Sequence, residues 1–215
     1  MRNVAFFVAI SVAIMSLFCF PAAECSAELL LNEILADPAS DWDGDGSVGS
    51  RADEWVEVIN AGSSSIDLSD YRLGDLSGGY EWRYGFNGSL APGEVVLVYG
   101  SAAQVWQSEH GFSAVGLSLN NAGDTVFLYR IDAADTTVVD SYAYQTHEVA
   151  DDRSAGRTSP APGEWVIFDA LNPYTGDNPP LGNGCVPTPA LANECTPEVP
   201  VKGATWGAIK HRYDD

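Results

Sequence analysis

The chain has 215 residues and a formal net charge of −20, because 30 acidic residues stand against 10 lysines and arginines. Proteins bind nucleic acids mainly through lysines and arginines that neutralise phosphates, so this composition argues against DNA, RNA and anionic lipid as partners. The length suits a single domain with a leader and a tail.

The N-terminal residues predict a secretory signal peptide. Arg2 supplies a positive charge, residues 4–20 are almost entirely apolar, and Ala27 ends a small-residue cleavage site. We therefore expect residues 1–27 to be removed, and the mature protein to be secreted or held at the cell surface. The alternative is an uncleaved membrane anchor, because the apolar run approaches the length that spans a bilayer. No second apolar run follows, so no membrane segment is expected after cleavage.

The first feature that indicates chemistry is a loop rich in aspartate and glycine, residues 37–53, which follows a predicted strand at residues 28–36. Asp41, Asp43 and Asp45 stand at alternate positions, so a tight loop would turn all three carboxylates inward. Converging carboxylates repel one another unless a cation lies between them. Ligand sets made only of oxygen favour calcium. The alternative is a solvated acidic turn without a metal.

Further oxygen ligands would have to complete such a site. Counted from Asp41, the backbone carbonyl of Ser47 falls where an EF-hand loop uses a carbonyl ligand. The bidentate glutamate of that motif is missing, because Ala52 occupies its position. Asp53 and Glu54 follow directly, and either could close a longer loop. The predicted calcium ligands are therefore Asp41, Asp43, Asp45, Ser47, Asp53 and Glu54.

Short segments in which apolar and polar residues alternate predict a succession of β-strands. They lie at residues 54–60, 66–68, 71–73, 80–86, 94–99, 115–119, 124–131, 137–144 and 165–168. One short helix is predicted at residues 101–110, with Ser101 as its N-cap and Gly111 just past its end. Many short strands without long helices predict an all-β fold, an antiparallel sandwich.

The C-terminal part changes in composition, and residues 184–215 are predicted to form a proline-rich tail outside the domain. Cys185 and Cys195 form an even pair in an exported chain, which predicts a disulfide. Near the end, Trp206, Ile209 and Tyr213 would share one face of a short helix. This segment either docks on the domain or serves as a recognition or sorting peptide.

No motif in the chain indicates an enzyme. There is no G-x-S-x-G sequence and no glycine-rich phosphate loop, and His147-Glu148 lacks the second histidine of a zinc motif. We therefore expect a protein without catalytic activity. A hydrolase that uses an unmarked pair of carboxylates among the thirty acids is the alternative.

Several short motifs follow one another in the order typical of the lamin-tail domain, and the chain resembles that family over about residues 29–183. The matching segments are residues 31–34, 54–60, 66–75, 90–94, 117–126, 138–142 and 153–157. The resemblance implies an immunoglobulin-like sandwich at residues 28–183. It also implies a binding or scaffolding module, because no catalytic residues are known for the family, and its bacterial members are typically exported.

These observations together predict an exported, non-catalytic module whose partner is an unidentified protein or glycan at the cell surface. The alternative function is a passive structural protein of the cell surface, attached or recognised through its C-terminal tail.

Overall fold

The computed structural model describes residues 29–75, 81–133, 135–159 and 161–195. The strands are β1 (Leu29–Leu35), β2 (Trp55–Asn60), β3 (Ile66–Asp67), β4 (Tyr71–Asp75), β5 (Glu81–Gly85), β6 (Ser89–Leu90), β7 (Val95–Tyr99), β8 (Gly123–Ile131), β9 (Thr136–Gln145), β10 (Ser154–Arg157) and β11 (Trp165–Phe168). The helix α1 (Gly100–Glu109) and a 3₁₀ turn (Thr146–Glu148) complete the set.

Two antiparallel sheets form a sandwich. A separate two-stranded sheet consists of β3 and β6. The larger sheet has the order β11-β10-β1-β2-β7, and the second has the order β5-β4-β8-β9. Their facing side chains form one core, to which Leu31 and Val56 contribute from the first sheet and Leu73 and Leu128 from the second. The predicted all-β, immunoglobulin-like antiparallel sandwich with one short helix is confirmed.

The central strand β1 is buried along its whole length, and it contains a bulge between Leu31 and Glu33. Leu31 lies beyond the end of the β1–β10 ladder, so its backbone groups bind side chains instead. Its N–H donates to Asp140 at 3.0 Å, and its carbonyl accepts from Arg157 at 2.9 Å. Arg157 and Asp140 also form an ion pair at 3.0 Å. Arg157 and Asp140 thus provide hydrogen-bond partners for the backbone of buried Leu31. Without partners, these backbone groups would lower the stability of the fold.

The helix α1 forms where predicted, but its predicted N-cap is wrong. Tyr99 is the N-cap residue, and no side chain caps the helix there. The reason is that β7 runs straight into α1, which places Ser101 inside the first turn. At the other end, Gly111 has a φ of 77°, the left-handed conformation expected just past a helix.

The strand predicted at residues 115–119 is also wrong, because this segment is a loop. Within this loop, the backbone of Gly116 forms hydrogen bonds with the buried side chain of Gln107 in α1. Its amide nitrogen donates to the carbonyl of Gly116 at 2.8 Å, and its side-chain oxygen accepts the Gly116 N–H at 3.0 Å. Hydrogen bonds to a side chain thus replace those of a neighbouring strand.

The chain after β11 continues without named strands to Cys195, and Cys185 and Cys195 form a disulfide with Cα atoms 5.7 Å apart. The predicted signal peptide and the predicted C-terminal helical face at Trp206, Ile209 and Tyr213 lie outside the described residues. Within the described ranges, no helix is long and apolar enough to cross a membrane.

The junction of β7 and α1 depends on Gly100. A β-carbon built there would lie 1.7 Å from the carbonyl oxygen of Arg51. We therefore expect Gly100→Ala to lower the free energy of unfolding by about 1–3 kcal/mol, as overpacked sites do. Urea denaturation measures this, with the exposed Ser108→Ala in the same helix as the control. Equal stability of the two variants would contradict the tight contact.

Candidate metal centre and buried acid cluster

The three aspartates of the glycine-rich loop come together as expected. Asp41, Asp43 and Asp45 each present a carboxylate oxygen, and these oxygens lie within 4.8 Å of one another. Asp43 is half-buried, whereas the other two are exposed. Three like charges at this spacing repel one another, and a divalent cation between them would remove the repulsion.

Backbone hydrogen bonds set the shape of this loop. Asp41 accepts from the N–H groups of Gly44 and Gly46, both at 2.9 Å. The two glycines have φ values of 76° and 94°, which other residues adopt only with strain. Asp45 accepts from the hydroxyl and the N–H of Ser47, and these bonds lower the pKa of Asp45. The loop is therefore ordered by the same carboxylates that could hold a cation.

Asp53 plays a different part from the three loop aspartates. It is fully buried, and one of its oxygens accepts from the N–H groups of Trp42 and Asp43 at 2.6 and 2.9 Å. Its other oxygen accepts from the N–H of Gly49 at 2.7 Å. Both oxygens are thus engaged with the backbone, and Asp53 fastens the acidic loop to the start of β2.

Glu54 has a hydrogen-bond partner outside the acidic loop. Its side chain is buried and accepts from the N–H of Leu119 at 3.2 Å. Burial raises the pKa of Glu54 to about 8, so its carboxyl group is largely protonated at neutral pH. The structure therefore groups three of the six predicted ligands, Asp41, Asp43 and Asp45, and Glu54 is not among them.

A second acidic cluster lies in the middle of the larger sheet. Glu33 of β1 stands opposite Glu57 of β2 in the ladder, and both are fully buried. Burial raises the pKa of Glu33 to about 7. Burial, and then repulsion from Glu33, raises the pKa of Glu57 to about 8. The sequence marked both residues as family motifs but not as a pair, because register and burial are tertiary properties.

The segment from residue 183 to residue 195, here called the strap, covers this pair. Thr188 donates its hydroxyl hydrogen to Glu33 at 2.6 Å and its N–H at 3.1 Å. The N–H of Ala190 donates to Glu57 at 2.7 Å. Asn193 accepts from the side chain of Asn32, which in turn donates to Glu57. Most of the strap was assigned to the tail from its sequence, but its contacts make it part of the domain.

The covered pair bears on the hydrolase alternative, which required two carboxyl groups with access to substrate and water. Glu33 accepts from Ser154 and Thr188, and Glu57 accepts from Asn32 and Ala190. Each carboxyl group is thus occupied by hydrogen-bond donors of the protein itself. This arrangement stabilises the sheet and the strap, and it does not present a reactive pair.

A model of the family described as Lamin Tail Domain matches residues 22–146, which is more than half of the chain. No curated protein and no solved structure was found to match the chain. The matched region includes Glu33, Glu57 and the acidic loop and ends just after β9. The strap that covers the two glutamates therefore lies beyond the family match.

The raised pKa values predict how stability depends on pH. Glu33, Glu54 and Glu57 bind protons more tightly in the folded chain than at their ordinary pKa of 4.5 in the unfolded chain. The stabilisation of the folded state that results from this tighter proton binding is complete below about pH 4.5. It is lost as the pH rises through 7 and 8. We expect the free energy of unfolding to fall by at least about 1.4 kcal/mol, one pKa unit for one group, between pH 5.5 and 8.5.

Urea denaturation at several pH values measures this change, and Glu33→Gln identifies its source. An amide can keep the hydrogen bonds of a protonated carboxyl group, since the Thr188 hydroxyl can accept from it and donate onward to Asn193 at 3.2 Å. We expect a smaller loss of stability with pH in this variant than in wild type. Glu109→Gln, at an exposed position of α1, is the control. An unchanged pH dependence in Glu33→Gln would contradict the assignment.

Proposed function

Because the chain belongs to the Lamin Tail Domain family, whose domains are immunoglobulin-like and non-enzymatic, we propose that it is a binding module that acts outside the cell. The family match is the observation that carries this proposal. The sandwich supports it, since such folds hold loops and sheet faces rigidly for recognition. The buried acids Glu33 and Glu57 are structural in this proposal.

The site of action is proposed from the N-terminal sequence. Arg2, the apolar residues 4–20 and the small residues up to Ala27 have the pattern of a cleaved signal peptide. A disulfide between Cys185 and Cys195 fits an oxidising environment. The partner is proposed to be a protein or glycan at the cell surface.

We further propose that the acidic loop binds calcium. The ligands would be Asp41, Asp43, Asp45 and the carbonyl of Ser47, with Asp53 as the residue that holds the loop in place. Hard oxygen ligands and positive-φ glycines suit this cation. Bound calcium would remove the repulsion among the three carboxylates and fix the loop on the sandwich, without taking part in a reaction.

Calcium binding predicts a concentration-dependent gain in thermal stability. An extracellular site with a Kd of roughly 0.1 to 1 mM would gain about 1.4 to 2.7 kcal/mol at 10 mM calcium. For a domain of this size we expect the Tm to rise by roughly 3 to 10 °C. The double variant Asp43→Ala with Asp45→Ala should show no such rise in differential scanning calorimetry.

The matched control is Asp70→Ala with Asp177→Ala, which removes two exposed aspartates outside the loop. It changes the net charge equally but leaves the proposed ligands in place. We expect it to respond to calcium as the wild type does. A Tm rise in the loop variant equal to that of the wild type would exclude this site.

The alternative function is a passive surface protein whose C-terminal tail is recognised or attached at the cell surface. Truncation of the chain distinguishes this alternative from a binding module. The strap contacts show where the chain can be cut. A chain that ends at Cys195 keeps the disulfide and the cover over Glu33 and Glu57, whereas one that ends at Asn183 exposes them. We expect the first to unfold at the Tm of the full chain, and the second at a clearly lower Tm.

Function is then compared between the full chain and the chain that ends at Cys195. If residues 196–215 are an address, their removal abolishes retention at the cell surface but leaves ligand binding intact. If the domain is the binding module, the shortened chain still binds isolated cell-surface material. Loss of that binding from a correctly folded shortened chain would contradict the proposed binding function of the sandwich.

A further inference from the structure

The strand β7 lies at one edge of the larger sheet, and in the described part of the chain only β2 pairs with it. The N–H of Asn60 in β2 donates to the carbonyl of Glu94, just before β7, at 3.0 Å. In an antiparallel ladder every second residue bonds the partner strand, so Val95 and Leu97 direct their N–H and C=O groups to the other side. Among the described residues, these four backbone groups have no hydrogen-bond partner.

The strand β7 also lacks the features that commonly protect an edge strand. Its residues, Val95–Tyr99, include no charged residue and no proline. Charges, prolines and bulges at sheet edges hinder pairing with other chains, so an apolar edge strand with free backbone groups is a template for a further strand. Val95 and Leu97 are only half-buried, which leaves their backbone within reach of a partner.

The other edges of the two main sheets are covered or interrupted. At β11, the N–H of Ile167 donates to the carbonyl of Leu181 at 3.0 Å, so the chain that follows covers this edge. At β5, the carbonyl of Arg83 accepts from the side chain of Gln107 in α1 at 2.9 Å. The strand β9 contains the charged Asp140, and its register with β8 shifts next to this residue. Within the described sandwich, β7 is therefore the open edge.

We propose that β7 binds an extended, basic peptide segment of a partner protein, which adds a strand to the larger sheet. The inference rests on the proposed binding function and gives that function a surface and a class of partner. Peptides recognised in this way gain affinity from main-chain hydrogen bonds to the edge strand. Val95 and Leu97 each offer such a segment one N–H donor and one carbonyl acceptor.

Acidic residues at both ends of β7 favour a basic partner. Glu94 is exposed directly before the strand. At the other end, Tyr99 stands opposite Trp55, and the ring of Trp55 contacts the ring of Trp42, the neighbour of Asp43 in the acidic loop. Lysines or arginines at both ends of a bound segment would be attracted to these charges and to the net charge of −20.

A positive charge near β7 does not reverse this balance. Arg51 lies where β7 meets α1, since its carbonyl oxygen is close to Gly100. The loop that contains Arg51 also carries a larger number of acids, Asp41, Asp43, Asp45 and Asp53. A bound calcium ion would offset part of their charge, but Glu94 at the other end and the acidic balance of the whole chain would remain.

A second copy of the chain fits this edge less well than a basic segment does. In a two-fold dimer the two β7 strands would run antiparallel, so the start of one strand would lie beside the end of the other. Glu94 of each copy would then lie close to the acidic loop of the other copy, and like charges at such positions repel. Each copy also carries a net charge of −20.

The test is a titration of the full ¹⁵N-labelled chain with the synthetic peptide KKVTVTVKK, followed by two-dimensional ¹⁵N–¹H NMR. We expect saturable shifts at the N–H groups of Val95 and Leu97. Binding should weaken as the NaCl concentration rises, because salt screens the attraction between the peptide and the acidic chain. The peptide EEVTVTVEE, which has the same centre and the opposite charge, should not bind.

Two changes of the backbone separate strand pairing from a general attraction of charge. KKVTVTVKK with N-methyl groups on every valine and threonine keeps its charges but cannot donate backbone hydrogen bonds, and it should not bind. In the protein, Leu97→Pro removes the outward N–H and leaves the bonds to β2 in place, so it should weaken binding about tenfold or more. Leu97→Val keeps this N–H and is the matched control. If Leu97→Pro does not fold, the methylated peptide still tests the pairing on the wild type.

Several results would overturn the inference. They are the absence of KKVTVTVKK binding by the wild type, equal binding of the methylated or the acidic peptide, and equal binding by a folded Leu97→Pro variant. Slow hydrogen exchange at Val95 and Leu97 in the free chain would also overturn it, because the edge would then already be occupied by a second copy or by another part of the chain.

Binding to isolated cell-surface material separates this inference from the proposed function. If a folded Leu97→Pro variant still binds that material as the wild type does, only the assignment of β7 fails. If the wild type binds neither surface proteins nor surface glycans, the proposed binding function itself fails.

Discussion

The structure depends on how it accommodates two carboxyl groups in the middle of its larger sheet. Glu33 and Glu57 face each other on adjacent central strands, fully removed from water. A buried carboxylate without partners is strongly disfavoured, so such groups become neutral or are surrounded by donors. Here both occur, because the pKa of each is raised and each accepts from several hydrogen-bond donors.

The donors come from a part of the chain far away in sequence. The strap residues Thr188, Ala190 and Asn193 form hydrogen bonds with strands β1 and β2. The disulfide between Cys185 and Cys195 links the two ends of the strap. In β10, the absence of a side chain at Gly156 leaves room for Glu33 and Asn193 to approach. The two glutamates are therefore a reason for the strap to be part of the domain.

The acidic loop shows a second use of a buried acid. Asp53 is as deeply buried as Glu33, but three backbone N–H groups surround its carboxylate. That arrangement shapes the loop which displays Asp41, Asp43 and Asp45 on one side. The proposed calcium site therefore depends on Asp53 for its support.

The sequence by itself determined features that depend on residues close together in the chain. Alternation of apolar and polar residues located most strands within one or two residues, and the spacing of three aspartates around Gly44 and Gly46 indicated their convergence. Family motifs in order indicated the sandwich. These features could be read because strand faces and tight loops depend on residues that are close in sequence.

Tertiary structure alone decided the rest. The segment at residues 115–119 was predicted as a strand, but Gly116 in its middle forms hydrogen bonds with the buried side chain of Gln107 in the preceding helix. Asp53 and Glu54 are neighbours in sequence, yet Asp53 holds the acidic loop in place and Glu54 accepts a hydrogen bond from Leu119, which lies far along the chain. The pairing of Glu33 with Glu57 depends on strand register and on burial. Neither can be read from spacing, because both are set by contacts between residues far apart in the chain.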